Sequence, residues 1–455
     1  MSVTDHPTSA HQGTGGPPPS PSGTPEEIVA RFNADPFGNL LELEQAHGTL
    51  FQLPLGNLGN EGLEHIPANG QWAFLTRPHQ VKAMYEAPEA VASGAQANKL
   101  FFGTDESSVG YIDGASHRCR RGRLHPAFGG SQDYSPLVLG TLDRVIGEWP
   151  RDTPFPLYDE LQNLTSQVIT DVVCGNMSPG EQDELRAMLL RTENAKYTRA
   201  EIIDADASLR AFIARRIDGY IERADRRGKD DFLTTLLRLG QDKDEELTHD
   251  TVRDEVFSLL YTGFSTTANT LSWAFLRLLD DDRVRELLTA ELREIHQDGR
   301  EITRDSLAES PYLEAVLKEV LRLHPVTPLN GVRLLKQDLE LDGYVIPAGT
   351  ILVHCAYLLQ RSPEVWKDPL EFRPERFLGE SHEAYAWGAF GGGSRMCVGR
   401  GFSLGEMKAI LTRVLTAHTL ERPEGLAALP PSQMQGFFMA PDDHAVVVLR
   451  GEGSR

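Results

Sequence analysis

The sequence predicts a mainly α protein with small β-sheets, folded as one large domain. Three observations point there. No proline interrupts the chain between Pro179 and Pro311, and this span is dense in Leu, Ala, Glu and Arg, residues suited to consecutive helices. Beyond Thr248, apolar side chains recur at helical spacing through Val252, Val256, Leu259, Leu260, Phe264, Leu271, Phe275 and Leu278. The β-type runs, by contrast, are short and are cut off by turn dipeptides such as Asp342-Gly343 and Ala348-Gly349.

Residues 1–24 are rich in Pro, Gly, Ser and Thr, including Gly15-Gly16-Pro17-Pro18-Pro19, and lack the basic cluster and apolar run of a signal peptide. They read as a disordered tail, which leaves 25–455 as the domain. Alternating runs such as Gln71–Leu75 then read as strands, each followed by a helix. Thr248 is a candidate N-cap, and Asp250 and Asp254 suit the positive end of the helix dipole. One helix from there to about Asp280 would be about 45–50 Å long at 1.5 Å per residue. Its apolar face is interrupted by Thr262-Gly263-Phe264-Ser265-Thr266-Thr267. These hydroxyls either bond back to carbonyls one turn earlier or leave an opening for a ligand. After Gly399 the chain returns to helix and closes in short strands near Ala445–Leu449, with no internal repeat and no linker of distinct composition.

Of the 455 residues, 40% are apolar and 24% charged, as in an ordinary globular protein. A formal charge of −21 argues against a mainly electrostatic binder of nucleic acid or of a membrane surface. No stretch has the roughly 20 apolar residues of a bilayer span, so no membrane anchor is expected. Cys119, Cys174, Cys355 and Cys397 are scattered without a CxxC pair. That suits neither a disulfide framework nor a zinc ribbon, and it fits a reducing, cytoplasmic setting.

Phe390-Gly391-Gly392-Gly393-Ser394-Arg395-Met396-Cys397-Val398-Gly399 is a glycine-rich loop that delivers one cysteine to the start of a helix. Backbone amides at a helix N-terminus stabilise a thiolate, and glycines allow a tight turn and close approach of a flat cofactor. The string fits FxxGxRxCxG and resembles the haem-binding signature of the cytochrome P450 family, with Phe390, Gly393, Arg395, Cys397 and Gly399 in place. Upstream, Glu319-Val320-Leu321-Arg322 resembles the family's ExxR element, and Pro374-Glu375-Arg376-Phe377 its PxRF element. His117 and Arg121 sit four apart, resembling the family's helix that reaches a haem propionate.

The resemblance covers the chain beyond its tail and implies a single triangular domain, with haem b between the long central helix and the Cys-bearing helix. It makes Cys397 the axial ligand of the iron, with Phe390 and Gly399 in its loop. His117, Arg121, Arg333 and Arg395 become propionate partners, and Glu319, Arg322 and Arg376 a structural brace. Thr266 matches the threonine that relays protons to iron-bound oxygen. Ser265 stands where the family usually has an acid, and Thr262 where it has Ala or Gly, so the relay is expected to use Ser265 and water. Substrate-facing segments of the family correspond to Ala95–Gly110, Tyr261–Phe264, Val326–Val332 and Gln435–Phe438. The candidate pocket residues are Leu100, Phe101, Phe102, Gly263, Phe264, Leu329, Phe437 and Phe438. The implied activity is insertion of one oxygen atom from dioxygen into a hydrophobic molecule, such as a fatty acid, terpenoid or polyketide-like compound. Electrons are expected from a separate ferredoxin and ferredoxin reductase, because the chain ends soon after the Cys-bearing helix. A monomer is expected. The alternatives are a peroxide-driven or otherwise atypical oxidation, prompted by Ser265, and a haem sensor or carrier without turnover.

Overall fold

The computed structural model describes residues 15–56, 63, 65–102, 107–175, 177–193, 199–223, 248–379 and 381–451. Helices dominate, as the proline-free span predicts: Pro179–Glu193, Arg199–Arg223, His249–Gly263, Ser265–Asp280 and Asp282–Ile295 all fall within it. Local chemistry fixes many helix starts. Thr24 accepts from the Glu27 amide in a capping box, with Pro25 as the first helical residue. Thr248 accepts from the Thr251 amide, and Asp281 caps the next helix through Val284.

Residues 15–24 are ordered against the strands despite their composition. The Gly15 N–H donates to the Gly343 carbonyl at 3.0 Å, Val345 N–H to Gly16 O at 2.9 Å, and Gln52 N–H to Pro19 O at 2.8 Å. Proline has no N–H, but its carbonyl still accepts, so this Pro-rich stretch can lie along strands that have donors to spare. The expected tail of 1–24 therefore does not hold for 15–24, and residues 1–14 lie outside the described residues.

One main core joins the helices Ser135–Ile146, Leu157–Cys174, Ser265–Asp280, Pro311–Leu323 and Arg400–Ala417. A second core lies on a five-stranded sheet whose spatial order is Leu50–Leu53, Trp72–Leu75, Ile351–Cys355, Leu329–Leu335, Ala92–Ser93. Trp72–Leu75 runs parallel to Ile351–Cys355, and the other neighbours are antiparallel. A separate hairpin, Ser432–Gln435 with Phe438–Pro441, is tied to the central helix by the Trp273 indole N–H, which donates to Met439 O.

The expected single helix from Thr248 to Asp280 is two helices, His249–Gly263 and Ser265–Asp280, which meet at Phe264 with φ −106° and ψ −57°. The hydroxyls do bond back: Thr262 donates to Ser258 O at 2.8 Å and Thr266 to Thr262 O at 2.9 Å. A further acceptor is taken from outside, because Thr165 of the Leu157–Cys174 helix donates to Phe264 O at 3.1 Å. Hydroxyls inserted among backbone carbonyls are a recognised cause of helix breaks.

Behind the sheet, Glu319, Arg322 and Arg376 form a fully buried charge cluster. Arg322 is bidentate to Glu319 at 2.7 and 2.8 Å, and the Arg376 Nε donates to the same carboxylate at 3.0 Å. The remaining guanidinium protons reach the carbonyls of Gln360, Pro369 and Lys367, so the buried charges are both paired and hydrogen-bonded.

Gly263 is required for packing. A Cβ there would lie 2.7 Å from Ile169 Cγ1 and 2.8 Å from its Cδ1. Gly263→Ala is expected to lower urea-unfolding stability by about 1–3 kcal/mol through overpacking, and Ile169→Val, which deletes Cδ1, to recover part of it. An unchanged midpoint for Gly263→Ala would show that the helices do not need this approach.

Candidate active site

The Cys loop is shaped from below by Tyr85, a buried residue of the Pro78–Glu86 helix. Gly393 has φ +62°, and a Cβ there would meet the Tyr85 carbonyl at 2.7 Å, so only glycine serves the turn and the contact together. The Tyr85 hydroxyl hydrogen-bonds His354 Nδ1 at 3.1 Å, and its ring stacks on Tyr385 at 5.7 Å. Above this platform the Cys397 amide donates to Phe390 O at 2.9 Å, which closes the loop. Arg400–Ala417 follows at once, with Gly399 at the N-cap position. Cys397 is exposed at the loop's surface, yet protein surrounds it closely enough that burial dominates and pushes the thiol up. The amides of Gly399 and Arg400, and the Arg121 guanidinium, act the other way and favour the thiolate.

The basic residues converge beside this loop. His117 and Arg121 lie on the helix Gly114–Phe128, which the buried ion pair Arg120–Glu255 at 2.8 Å ties to His249–Gly263. Burial, then Arg395 and Arg121, push His117 down to about 4, so it is neutral near pH 7. Among the described residues its buried Nδ1 has no hydrogen-bond partner. Arg333 is buried, and burial pushes its guanidinium down to about 10. Among the described residues it bonds the neighbouring carbonyls of Gly331 and Val332, and it lies over the Tyr85 ring at 5.3 Å. Arg395 pairs with Asp113 at 2.5 Å and also donates to the carbonyls of Gly110 and Ile112. Asp113 is held below the usual carboxylate range: burial opposes ionisation, but Ser93, Arg395 and the Ala95 N–H outweigh it.

Thr262 is exposed and Thr266 half-buried, whereas Phe264, Ser265, Thr267 and Ala268 around them are buried. The two threonines, one turn apart, share a face. Ser265 does not share it. The Ser265 side chain has no exposure, and its hydroxyl accepts from Gln162 Nε2 at 3.2 Å, while Gln162 also donates to the Tyr158 hydroxyl at 2.8 Å. Adjacent residues of a helix point about 100° apart, and the two hydroxyls serve different sides of the break.

The candidate pocket residues separate. Phe101 and Phe437 are in ring contact at 4.4 Å, and Phe102 meets both at 5.0 and 5.4 Å. Tyr111, which the sequence did not single out, joins Phe102 edge-on at 6.3 Å. Leu329 and Phe438 are half-buried at strand ends. Leu100 and Phe264 are buried in the two cores, and the half-buried Gly263 packs on Ile169. An apolar run in sequence does not tell which side chain turns inward. Tyr85, His354, Asp113 and Gln162 also escaped notice, since their partners lie far away in the chain.

The Cytochrome P450 family model matches residues 70–448. The chain belongs to the cytochrome P450 family. It is 29% identical over 422 residues to a protein of Mycobacterium tuberculosis named cytochrome P450 135B1, covering 88% of this chain and 84% of that one. It is also 29% identical over 462 residues to cytochrome P450 137 of the same organism, covering 96% and 88%. The fold matches retinoic acid bound cyanobacterial CYP120A1 with a TM-score of 0.80 at 24% identity, over 96% of this chain and 99% of that one. It likewise matches the cytochrome P450DA heme domain, with a TM-score of 0.78 at 22% identity, over 96% and 98%. The protein is thus a cytochrome P450-type monooxygenase, of a family that binds haem.

The residues present fit that group. A thiol faced by helix amides suits the iron, and an orphaned imidazole nitrogen with a buried, unpaired guanidinium suits anionic propionates. Loss of one charge-assisted bond is worth about 1.5–3 kcal/mol. Arg333→Leu and Arg121→Leu are each expected to weaken haem retention about tenfold or more, read by haemin titration of the apoprotein. Wild-type titration curves would remove these residues from the site.

Proposed function

We propose that this P450 inserts one oxygen atom from dioxygen into a hydrophobic small molecule, using haem b held by Cys397 and electrons from a separate carrier. The observation that carries this reading is the Cys397 loop, closed by the Cys397 N–H bond to the Phe390 carbonyl, its thiol favoured as thiolate by helix amides and flanked by Arg121, Arg333, Arg395 and His117. Bound haem supplies dioxygen activation: two electrons and two protons are consumed, one oxygen atom becomes a substrate hydroxyl, and the other leaves as water.

The chain's residues do the rest. His117 can donate an N–H to a propionate, while Arg121, Arg333 and Arg395 supply charge. Thr266 holds its hydroxyl on the accessible face, where it accepts a proton from water and passes its own onward, regaining the Thr262 carbonyl as acceptor afterwards. Ser265 takes no direct part in this transfer. Through Gln162 it fixes the break that presents Thr266, which replaces the expected direct role for Ser265. Phe101, Phe102, Phe437 and Tyr111 form an aromatic wall that favours a hydrophobic substrate such as a fatty acid, terpenoid or polyketide-like molecule. Arg118, exposed on the helix that carries His117 and Arg121, offers a cation to an acidic carrier such as a ferredoxin served by its reductase.

A low-to-high-spin titration of the ferric protein against fatty acids, terpenes and macrolide-like compounds is expected to give a saturable shift with at least one class. Absence of any shift across the panel would contradict the hydrophobic-substrate reading. With that ligand and a surrogate ferredoxin system, Thr266→Ala is expected to lower product formed per reductant by roughly tenfold, with Thr266→Ser restoring it. Unchanged coupling in Thr266→Ala would remove Thr266 from proton delivery.

A further inference from the structure

Asp113 occupies the N-cap position of the helix Gly114–Phe128, where an aspartate ordinarily accepts a first-turn amide, and its side chain makes no such bond. Its carboxylate is directed elsewhere. It accepts the Ser93 hydroxyl at 2.5 Å, the Ala95 N–H at 3.3 Å and Arg395 Nη2 at 2.5 Å. Donors from a sheet strand, the start of the helix Gly94–Phe102 and the Cys loop therefore converge on one side chain. Space has been cleared for the arrangement: a Cβ on Gly94 would lie 2.3 Å from Arg395 Nε and 2.4 Å from its Cδ. The same carboxylate is near enough to His117 and Arg333 to favour the protonated form of each.

We infer that Asp113 is a positioning residue: it aims the Arg395 guanidinium at the haem edge and supplies the negative charge that balances the third arginine of the site. This rests on the proposed haem site. Haem brings two propionates, which leaves one of Arg121, Arg333 and Arg395 without a carboxylate of its own. Among the described residues, Arg395 is the one of the three with a protein carboxylate in an ion pair. Two consequences follow from elementary electrostatics. Neutralising Asp113 adds one net positive charge beside the haem, which favours the ferrous over the ferric form and raises the reduction potential. It also frees Arg395 to swing away from the edge, so haem is held less tightly.

The test uses the haem-loaded full chain. Asp113→Asn keeps the shape and removes the charge. Its ferric/ferrous midpoint is expected to move to a more positive potential in a spectroelectrochemical titration. Haem transfer to an excess of an acceptor apoglobin should be about tenfold faster, the loss expected for one charge-assisted bond. Asp113→Glu, which restores the charge, should return most of the potential, a rescue that a purely space-filling role would not give. A wild-type potential in Asp113→Asn overturns the assignment, whatever happens to stability. Should Asp113→Asn fail to take up haem, Ser93→Ala keeps the charge but loosens its tether: faster haem transfer supports the assignment, and wild-type transfer overturns it. Failure of the haem site itself would be distinguishable, since the wild-type protein would then give no haem-thiolate spectrum.

Discussion

The rest of the molecule depends on one buried carboxylate. Glu319, itself fully buried, accepts from Nε and Nη2 of Arg322, from Nε of Arg376 and from the Arg373 N–H. Removing one partner of such a cluster typically costs about 3–5 kcal/mol, because it leaves a buried charge uncompensated. The two guanidinium groups lie near the Trp366 ring, at 5.2 and 6.0 Å, and reach the carbonyls of Gln360, Lys367 and Pro369. The stretch from Gln360 to Phe377 folds through local turns such as Trp366 N–H to Ser362 O and Arg376 N–H to Arg373 O, and these bonds tie it to the helix Pro311–Leu323. It leads towards the Cys loop, and the Gln360 side chain accepts from the Gly388 N–H two residues before Phe390. The buried cluster is thereby linked, through Gln360, to the segment that leads into the Cys397 loop.

A second constraint acts from the other side of the site. The Leu157–Cys174 helix approaches the broken helix closely only because Gly263 lacks a side chain, and Thr165 then takes the Phe264 carbonyl. The break puts Thr262 and Thr266 on an accessible face and sends Ser265 into a polar pocket of Gln162, Tyr158 and Asn269. Asn269 Nδ2 also donates to the Ser265 carbonyl at 3.0 Å, so both the hydroxyl and the carbonyl of Ser265 are occupied. A serine suits this site, where an ionised carboxylate facing an amide and a phenol would be costly to bury.

Much of this was legible in the sequence where the chemistry is local. The Thr248 cap, the Glu319–Arg322 spacing and the glycine-rich Cys loop depend on neighbours in the chain, and each stands where the pattern put it. What escaped depends on partners that sequence does not bring together. The break at Phe264 needs a hydroxyl 99 residues upstream, and Tyr85 meets His354 across 269 residues. Leu100 and Phe264 are apolar residues in segments that the resemblance makes substrate-facing, and burial in the cores is a property their sequence position does not show. The Pro-rich start looked unstructured because proline donates no hydrogen bond, but Gly16 and Pro19 still accept from the Tyr344–Ile346 and Leu50–Leu53 strands.

The account stands or falls on sulfur ligation by Cys397. The most direct measurement is the ferrous–carbon monoxide difference spectrum of the purified haem-loaded protein beside that of Cys397→His. The wild type should show the strongly red-shifted Soret band of thiolate ligation, and Cys397→His should replace it with the band typical of an imidazole ligand. A wild-type spectrum without the red-shifted band, or its survival in Cys397→His, would contradict the account.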